Sequence, residues 1–471
     1  MSSENCEMLG DDGGNPPNVG VPIRLQVEAL AAGGRGLARV DGLVWMIPNA
    51  LPGDVLEALP HKVHSRWVEA RIHRRLAPSP LRRAAPCSIQ DRCAGCAWMP
   101  LNEGAQLEWK QRILADALER LGGFENPRVD QPVPSPRTLA YRNKIELTLG
   151  RAPSGQPCLG FYGEDPRGAL VDVEQCLVQE DAANRVLPAV RRALFENSSL
   201  PVEAWIVRSR EPVRVILRTA SAGGRVLVGL RSVATPLPGA DAFASSLMRT
   251  SGDVASVVQL IAAPGRRGGV RATPLRGEPS TEERIAGLRF RLPASSFLQV
   301  NHGASERMLE IVSELSGAGP RTRVLELYGG MGLFSLVLAG RGAAALVCEA
   351  DPLAVDCGRA AARENGNLPV RFHRGDAGAF VEGMRRSGGQ VPDVVITDPP
   401  RQGMGKDVAR AVAALRAPRI LIVSCDPATL ARDAGVIRER GYSLTRVVPI
   451  DLFPQTPHVE ALAVLERSNS I

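Results

Sequence analysis

An α/β fold is indicated by residues 323–332, which read Arg323-Val324-Leu325-Glu326-Leu327-Tyr328-Gly329-Gly330-Met331-Gly332. The first five form an apolar run typical of a buried strand, and the glycines permit a tight turn into a helix predicted through Phe334 to Ala339. A second predicted strand, 344–349, ends at Glu349, where a carboxylate can accept both hydroxyls of a ribose. An ordinary turn with a solvated Glu349 explains this motif about equally well, so other motifs must decide whether it binds a ligand.

The same alternation of strands and helices continues on both sides of this turn. Helices are predicted at 303–315 and 355–365, and further strands at 370–372, 394–397 and 420–423. Such a pattern predicts a doubly wound sheet that binds ligands at the carboxyl ends of its strands. Because the glycine turn lacks the G-x-G-x-x-G fingerprint of dinucleotide sites, its spacing fits S-adenosylmethionine at least as well.

The amino-terminal part of the chain has a different pattern. Residues 1–20 are polar and rich in Gly, Asn and Asp, which predicts a disordered tail. Residues 21–75 contain short alternating runs separated by turn signals, which predicts a small barrel. A helix is predicted at 103–121, and residues 125–285 mix strands with a helix or two. A length of 471 residues agrees with roughly two to four domains.

Composition and charge exclude several classes of protein. The chain is 44% hydrophobic and 23% charged, as expected for a globular protein, and has no apolar stretch of about 18 residues that predicts a membrane span. The first twenty residues lack the pattern of a secretory signal, which predicts a cytoplasmic location. Eleven basic and six acidic residues between Val21 and Pro100 supply five of the seven net positive charges, and arginine suits phosphate groups.

Three residues near the ends of later strands can carry chemistry. Asp398 precedes two prolines that stiffen its loop. Cys425 follows the strand 420–423, where a thiolate can attack a pyrimidine. Glu460 precedes a predicted strand at 461–465 and can act as a general base in the same crevice. A lone Glu at such a position is more often a solvated charge. Its interpretation as a base therefore depends on the presence of Asp398 and Cys425 as well.

Three cysteines crowd into ten residues with the spacing Cys87-x5-Cys93-x2-Cys96. Four thiolates are the usual ligands of an iron–sulfur cluster, and Cys176 is the best candidate for the fourth. A zinc ribbon requires two C-x2-C knuckles, and only one is present. Zinc remains an alternative, with one of three histidines as the fourth ligand, namely His61, His64 or His73.

Taken together, these motifs resemble the RNA uracil-C5 methyltransferase family, in particular members with an amino-terminal TRAM barrel and a 4Fe–4S cluster. The motifs that carry the resemblance are, in chain order, the four cysteines, Ser296-Phe297-Leu298-Gln299-Val300-Asn301, the glycine turn at 329–332, Asp398-Pro399-Pro400-Arg401, Ser424-Cys425-Asp426-Pro427-Ala428-Thr429-Leu430 and His458-Val459-Glu460. The resemblance implies an α/β, Rossmann-like class I methyltransferase domain, an OB-like TRAM barrel and a central α+β domain.

The resemblance also implies domain boundaries. A disordered tail would occupy 1–18 and the TRAM barrel 19–76. A central iron–sulfur and RNA-binding domain would comprise 77–100 and 125–285, and the methyltransferase domain 101–124 and 286–471.

By the same resemblance, Cys425 is the nucleophile and Glu460 the proton acceptor. The residues expected to bind S-adenosylmethionine are Gln299, Tyr328, Glu349, Asp376 and Asp398, and those expected to hold the 4Fe–4S cluster are Cys87, Cys93, Cys96 and Cys176. Family members often carry a polar residue, commonly Asn, where this chain has Leu333, and some have Asn where it has Asp426.

The expected reaction is methylation of uridine C5 through an adduct between Cys425 and uracil C6, which places negative charge on C5. The expected partner is structured RNA, with ribosomal RNA favoured and transfer RNA the nearest alternative. No membrane and no obligate protein partner are expected. A non-catalytic RNA-binding protein that retained the fold is a second alternative, against which the presence of both Cys425 and Glu460 argues.

Overall fold

The computed structural model describes residues 17–163, 168, 170–197, 200–207, 211–233, 235–262 and 270–468. The chain divides into two compact units that alternate along the sequence. The first comprises Met1–Pro86, Ala97–Trp109 and Gln455–Pro457, and the second comprises Cys87–Cys96, Lys110–Pro454 and His458–Ile471. Most of the predicted disordered tail, residues 1–16, lies outside the described residues.

The first unit contains a six-stranded sheet in the order β1-β5-β6-β4-β3-β2. Its strands are β1 (Ile23–Gln26), β2 (Ala29–Leu30), β3 (Gly36–Val40), β4 (Leu43–Ile47), β5 (Val55–Val63) and β6 (Trp67–Ala77). Every second side chain of β4 and β5 points into one core, in which Trp45, Ile47, Leu56 and Ala58 are buried. Edge strand β1 also lies against β3, so the sheet curls back on itself as predicted for a small barrel.

Helix α1 comprises Glu103–Arg120, and the boundary between the two units falls between its residues Trp109 and Lys110. The helix agrees with the predicted range of 103–121. Beyond its end, the backbone of Gly122 packs against Ala431 and Gly435 of the second unit so closely that a side chain at 122 would collide with Ala431.

The second unit begins with a seven-stranded, mostly antiparallel sheet in the order β13-β12-β11-β10-β7-β8-β9, with helices packed on it. In chain order these elements are β7 (Lys144–Arg151), β8 (Pro157–Tyr162), β9 (Leu170–Asp172), α2 (Asp181–Phe195), α3 (Val202–Val207), β10 (Arg214–Thr219), β11 (Val226–Val233), α4 (Ala240–Thr250), β12 (Val254–Ala262) and β13 (Val270–Arg276). A hairpin of β14 (Ser280–Ile285) and β15 (Leu288–Pro293) follows.

The remainder forms a second seven-stranded sheet in the order β18-β17-β16-β19-β20-β22-β21. Its elements are α5 (His302–Ser316), β16 (Arg323–Leu327), α6 (Leu333–Gly340), β17 (Ala344–Glu349), α7 (Pro352–Glu364), β18 (Val370–Arg374), α8 (Ala377–Ser387), β19 (Val394–Thr397), α9 (Lys406–Ala414), β20 (Arg419–Ser424), α10 (Pro427–Arg438), β21 (Tyr442–Ile450) and β22 (Glu460–Arg467).

This sheet confirms the predicted α/β fold, because β16 to β20 are all parallel and alternate with helices. The sequence pattern missed one feature, which is that β21 and β22 are antiparallel and extend the sheet beyond β20. Among the described residues no helix is long and apolar enough to span a membrane.

Candidate functional site

A cavity of about 510 Å³ lies at the carboxyl ends of β16, β17, β19 and β20, the edge predicted for ligand binding. Six of the seven residues predicted to act on or bind small molecules line it, namely Gln299, Tyr328, Glu349, Asp398, Cys425 and Glu460. Leu333 lines it too, so an apolar side chain faces the cavity where family members often have a polar one.

The glycine turn between β16 and α6 forms one wall of this cavity. Tyr328, Gly330 and Gly332 have positive φ angles of 56°, 55° and 76°. A Cβ on Gly329 would lie 2.6 Å from Val347 Cγ1, so the turn packs against β17 only because no side chain is present there. Glu349 fixes the turn, because its Oε2 accepts a hydrogen bond from the Gly330 N–H at 2.9 Å.

Cys425 and Glu460 come together because β20 and β22 are antiparallel neighbours. Ser424 pairs with Ala461, and therefore the residue after Ser424 comes opposite the residue before Ala461. The prediction that Glu460 precedes the strand was off by one residue, since Glu460 is the first residue of β22. Its side chain is 2% exposed rather than solvated, and its Oε1 has no hydrogen-bond partner among the described residues.

The acids around this site favour their neutral forms. Burial, reinforced by the charge of Asp398, raises the pKa of Glu460 well above its ordinary value. Burial raises the pKa of Asp398 to about 7, and burial together with Asp398 raises that of Glu326 to about 7. Burial and the charge of Glu460 also raise the pKa of the Cys425 thiol, which is therefore protonated at rest.

Arg401 opposes this tendency. Its positive charge lowers the pKa values of both Cys425 and Glu460, although burial outweighs it in each case. Nη2 of Arg401 lies 3.3 Å from Nδ1 of His458. Burial, with the charge of Arg401, lowers the pKa of His458 to about 4, so the imidazole is neutral and can hold the guanidinium without repelling it. The sequence motifs contained both residues but gave no sign of this contact.

Asp376 is the predicted site residue that does not line the cavity. Its carboxylate caps α8 by accepting a hydrogen bond from the Ala379 N–H at 2.9 Å. Asp376 still influences the site, because its charge adds to burial in raising the pKa of Tyr328 to about 12.

A buried ion pair holds the loop that joins β21 to β22, and sequence reasoning missed it. Lys110 on α1 is 1% exposed, and its Nζ lies 2.5 Å from Asp451 Oδ1 and 3.0 Å from the carbonyl oxygen of Phe453, which lines the cavity. The available signal was the position of Lys110 on the apolar face of α1, between Gln106 and Leu114, which are also buried.

Two further side chains hold the same loop. The Tyr141 hydroxyl donates to the carbonyl of Pro454 at 3.0 Å, and Asn301 Nδ2 donates to the carbonyl of Leu452 at 3.0 Å. The backbone beside Tyr141 is bonded in turn to the segment after Cys176, because the Tyr141 N–H donates to the Val178 carbonyl at 3.1 Å. A short network therefore joins the cysteine-bearing segment to the loop that leads to Glu460.

The four cysteines of the predicted cluster belong to the same unit, and all are free and half-buried. Burial, with smaller contributions from the other three sulfurs, raises the pKa of Cys96 to about 12. The N–H groups of Val178 and Gln179 favour the thiolate of Cys176, although burial raises its pKa overall. Within the described ranges, no three or more His, Cys, Asp or Glu side chains are grouped so as to hold a metal ion.

Comparisons with known proteins agree with this geometry. Residues 281–468 match the family model described as tRNA (Uracil-5-)-methyltransferase, and residues 17–73 match the TRAM domain model. An uncharacterized RNA methyltransferase of Gloeobacter violaceus is 34% identical over 95% of this chain and 97% of its own. A second, from Synechocystis, is 32% identical over 96% of both chains.

A solved structure extends the agreement to the fold. The crystal structure of the Pyrococcus abyssi tRNA (uracil-54, C5)-methyltransferase in complex with S-adenosyl-L-homocysteine has a TM-score of 0.72 and 25% identity, covering 94% of this chain and 100% of that one. The match extends well beyond the methyltransferase sheet. This chain therefore belongs to the RNA uracil-5-methyltransferase family with an amino-terminal TRAM domain, and it is an S-adenosylmethionine-dependent enzyme.

Proposed function

We propose that the enzyme methylates C5 of a uridine in ribosomal RNA through a covalent bond between Cys425 Sγ and C6 of the base, with Glu460 as the base that removes the C5 proton. The observation that carries the proposal is the antiparallel register that sets Cys425 opposite Glu460 in a cavity lined by the glycine turn.

The cavity residues fit S-adenosylmethionine. The residues that would hold it are Gln299, Tyr328, Glu349 and Asp398, all of which line the cavity. Glu349 accepts hydrogen bonds from the N–H groups of Gly330 and Asp351, and its remaining lone pairs can accept ribose hydroxyls. When bound, the group supplies an electrophilic methyl.

The electrostatics define what the chain's own residues do. The Cys425 thiol must lose its proton before it attacks C6, and Arg401 is the charge that favours the thiolate. Attack makes C5 nucleophilic, and C5 would accept the methyl group as the bond between that methyl and the sulfonium sulfur breaks, leaving S-adenosylhomocysteine. Glu460 then takes the C5 proton, and the Cys425–C6 bond breaks to release 5-methyluridine. The buried, unpaired Oε1 of Glu460 suits this step, because a desolvated carboxylate is a stronger base than a hydrated one.

The class of RNA that serves as the substrate is the part of the proposal for which a specific alternative exists. The combination of TRAM barrel and cysteine motif favours ribosomal RNA by family resemblance. The Pyrococcus abyssi protein is named as a transfer RNA methyltransferase, which favours the same reaction on transfer RNA. Mapping of 5-methyluridine in RNA from a deletion strain, with complementation by the native gene, decides between them. Loss confined to transfer RNA would overturn the ribosomal assignment.

We also propose that Cys87, Cys93, Cys96 and Cys176 hold a 4Fe–4S cluster. The donor set fits, because Cys87, Cys93 and Cys176 all lie close enough to Cys96 to affect its pKa, and backbone N–H groups favour the Cys176 thiolate as hydrogen bonds to cluster sulfurs do. Buried near them is Gln179, whose amide has no hydrogen-bond partner in the described part of the chain. Ligation requires the four sulfurs to draw together. The cluster would fix the segment that leads to Tyr141.

The domain roles follow from these assignments. The TRAM barrel at 19–76 and the central domain at 77–100 and 125–285 would bind RNA, while 101–124 and 286–471 carry out methyl transfer. Arginine-rich surface supports RNA binding because guanidinium groups pair with phosphates in a salt-dependent manner. The target base must leave its stack to reach Cys425, which costs a few kcal/mol and least in a loop.

A further inference from the structure

A second cavity, of about 380 Å³, lies in the same unit and outside the methyl-transfer site. Four segments converge on it, namely 136–143, the start of α2, the turn between β10 and β11, and the first turn of α5. Its polar lining includes Arg137, Tyr141, Asn143, Glu180, Thr219 and His302. The cavity is large enough for a nucleotide, since small-molecule sites begin at about 300 Å³.

The two cavities share a wall. Gln299 lines the methyl-transfer cavity and Asn301, two residues later, lines the second one. Asn143 joins the two positions, because its Nδ2 donates to the Gln299 carbonyl at 3.2 Å and its N–H donates to the Val300 carbonyl at 2.8 Å. Two residues of extended chain span about 7 Å, so a strand of RNA with one base in the first cavity can reach the second.

The charged groups of the second cavity are not joined by an ion pair, although the charge of Arg137 opposes the burial that raises the pKa of Glu180. Arg137 and Glu180 both line the cavity but form no ion pair, and no described side chain pairs with the Arg137 guanidinium. Beside Glu180 lies Thr219, whose buried hydroxyl has no hydrogen-bond partner among the described residues. Nδ1 of His302 is buried and has no hydrogen-bond partner among the described residues. A closed structural cluster would be expected to pair these groups, whereas a ligand site leaves them available.

The chemistry of these groups matches the two ends of a nucleotide. A guanidinium binds phosphate through two parallel hydrogen bonds. A carboxyl accepts hydrogen bonds from the exocyclic amino group of a base, which cytosine and adenine carry and uracil does not. The amino-terminal end of α5 also favours a negatively charged ligand. The reason is that N–H groups in the first turn of a helix point away from the helix body along its axis.

We propose that the second cavity binds one nucleotide of the RNA substrate that neighbours the target uridine, with its phosphate at Arg137 and the amino edge of its base at Glu180. This inference rests on the proposed action on an RNA uridine. It assigns sequence preference to a pocket separate from the methyl-transfer cavity, because recognition of single-stranded RNA reads splayed-out bases in individual pockets.

The test uses the full native chain with S-adenosylhomocysteine and an unmodified transcript of the RNA fragment around the methylated uridine. The nucleotides flanking the target are replaced one at a time by fluorescent thieno analogues of adenosine or cytidine, which keep the exocyclic amino group. One flanking position should change its emission on binding, and Glu180→Gln should abolish that change. Arg137→Gln should weaken RNA binding about tenfold, as loss of a phosphate contact does, while affinity for S-adenosylhomocysteine stays unchanged.

Matched controls lie close by. Glu196→Gln changes the exposed carboxylate at the opposite end of α2, and Arg128→Gln changes an exposed arginine nine positions before Arg137. Native-like RNA binding and fluorescence in both cavity variants would overturn the proposal. None of these measurements requires methyl transfer. A negative result would therefore disprove the nucleotide pocket without disproving the proposed reaction.

Discussion

Cys425 follows β20, and Glu460 begins the antiparallel neighbour β22, so that the pairing of Ser424 with Ala461 sets the thiol opposite the carboxyl. Burial and the charge of Glu460 raise the pKa of Cys425, as expected for a thiol and a carboxyl that line the same cavity. A nucleophile and a base thus come from strands that run in opposite directions, although the residues lie far apart in sequence.

Replacement of the thiol should abolish the reaction. Cys425→Ala is expected to lose all detectable methylation while binding S-adenosylhomocysteine normally, because only the attack on C6 is removed. With RNA containing 5-fluorouridine, the native enzyme should form a covalent complex that survives denaturing electrophoresis, and Cys425→Ala should not. Cys357→Ala, at another half-buried cysteine, is the control. Full activity in Cys425→Ala would disprove covalent catalysis.

Replacement of the base should trap the intermediate. Glu460→Gln keeps the shape of the side chain but cannot accept the C5 proton, so turnover should fall by about 10²–10⁴-fold. The adduct with ordinary uridine RNA should accumulate and be visible by denaturing electrophoresis. The native rate should rise with pH as Glu460 ionises, since burial raises its pKa. Unchanged product release in Glu460→Gln would remove the residue from its proposed role.

The buried pair between Lys110 and Asp451 should be important for stability. Lys110→Met leaves Asp451 buried without its partner and should reduce the free energy of unfolding by about 3–5 kcal/mol. Adding Asp451→Asn should recover part of the loss, because both charges are then gone. Lys62→Met, at a lysine that is 62% exposed, should have little effect. Urea denaturation measures all four proteins, and equal stability of Lys110→Met and native protein would contradict the expected contribution.

Glu326 should make the fold less stable as the pH rises. Its pKa is raised from 4.5 to about 7, so the folded state holds a proton that the unfolded state releases between these values. Stability is therefore lost as the pH rises from 4.5 to about 7, and the loss persists above it. Glu326→Gln should raise the melting temperature relative to native at pH 8 and much less at pH 5. An equal shift at both values, or the same shift in the exposed control Glu314→Gln, would argue against burial of the proton.

Metal analysis should find iron. Anaerobically purified enzyme is expected to contain about four irons per chain, and Cys176→Ala should lose them together with visible absorbance. Cys158→Ala, at a buried cysteine outside the proposed ligand set, should retain them. One zinc per chain without iron would instead support the zinc alternative.

Local pattern accounts for the parts of the fold that the sequence predicts well. The strand at 344–349 and the strand at 394–397 have the bounds of β17 and β19, because their side chains are apolar on both faces and turn residues delimit them. The glycine turn is predictable for the same reason, since positive φ angles at Gly330 and Gly332 are a local demand of the backbone.

The features that could not be predicted from the sequence depend on contacts between residues that lie far apart in the chain. A Glu before an apolar strand resembles a solvated charge, and only the pairing of β22 with β20 buries Glu460. Likewise, Lys110 is of a residue type that usually lies on the surface. Its partner Asp451 lies 341 positions away in the sequence. Asp376 shows the reverse, because a carboxylate in a plausible motif is used to cap a helix instead of lining the cavity.

The tripeptide Gln455–Pro457 limits which segments of this protein can be exchanged by recombination. It belongs to the amino-terminal unit, while the residues on both sides of it belong to the other, and its Gln455 accepts a hydrogen bond from the Trp98 N–H and donates one to Gln106. No single recombination point separates the two units without breaking these bonds. An exchange of the segment 97–109 must therefore be accompanied by a matching tripeptide, although the bonded residues Gln106 and Gln455 lie 349 positions apart.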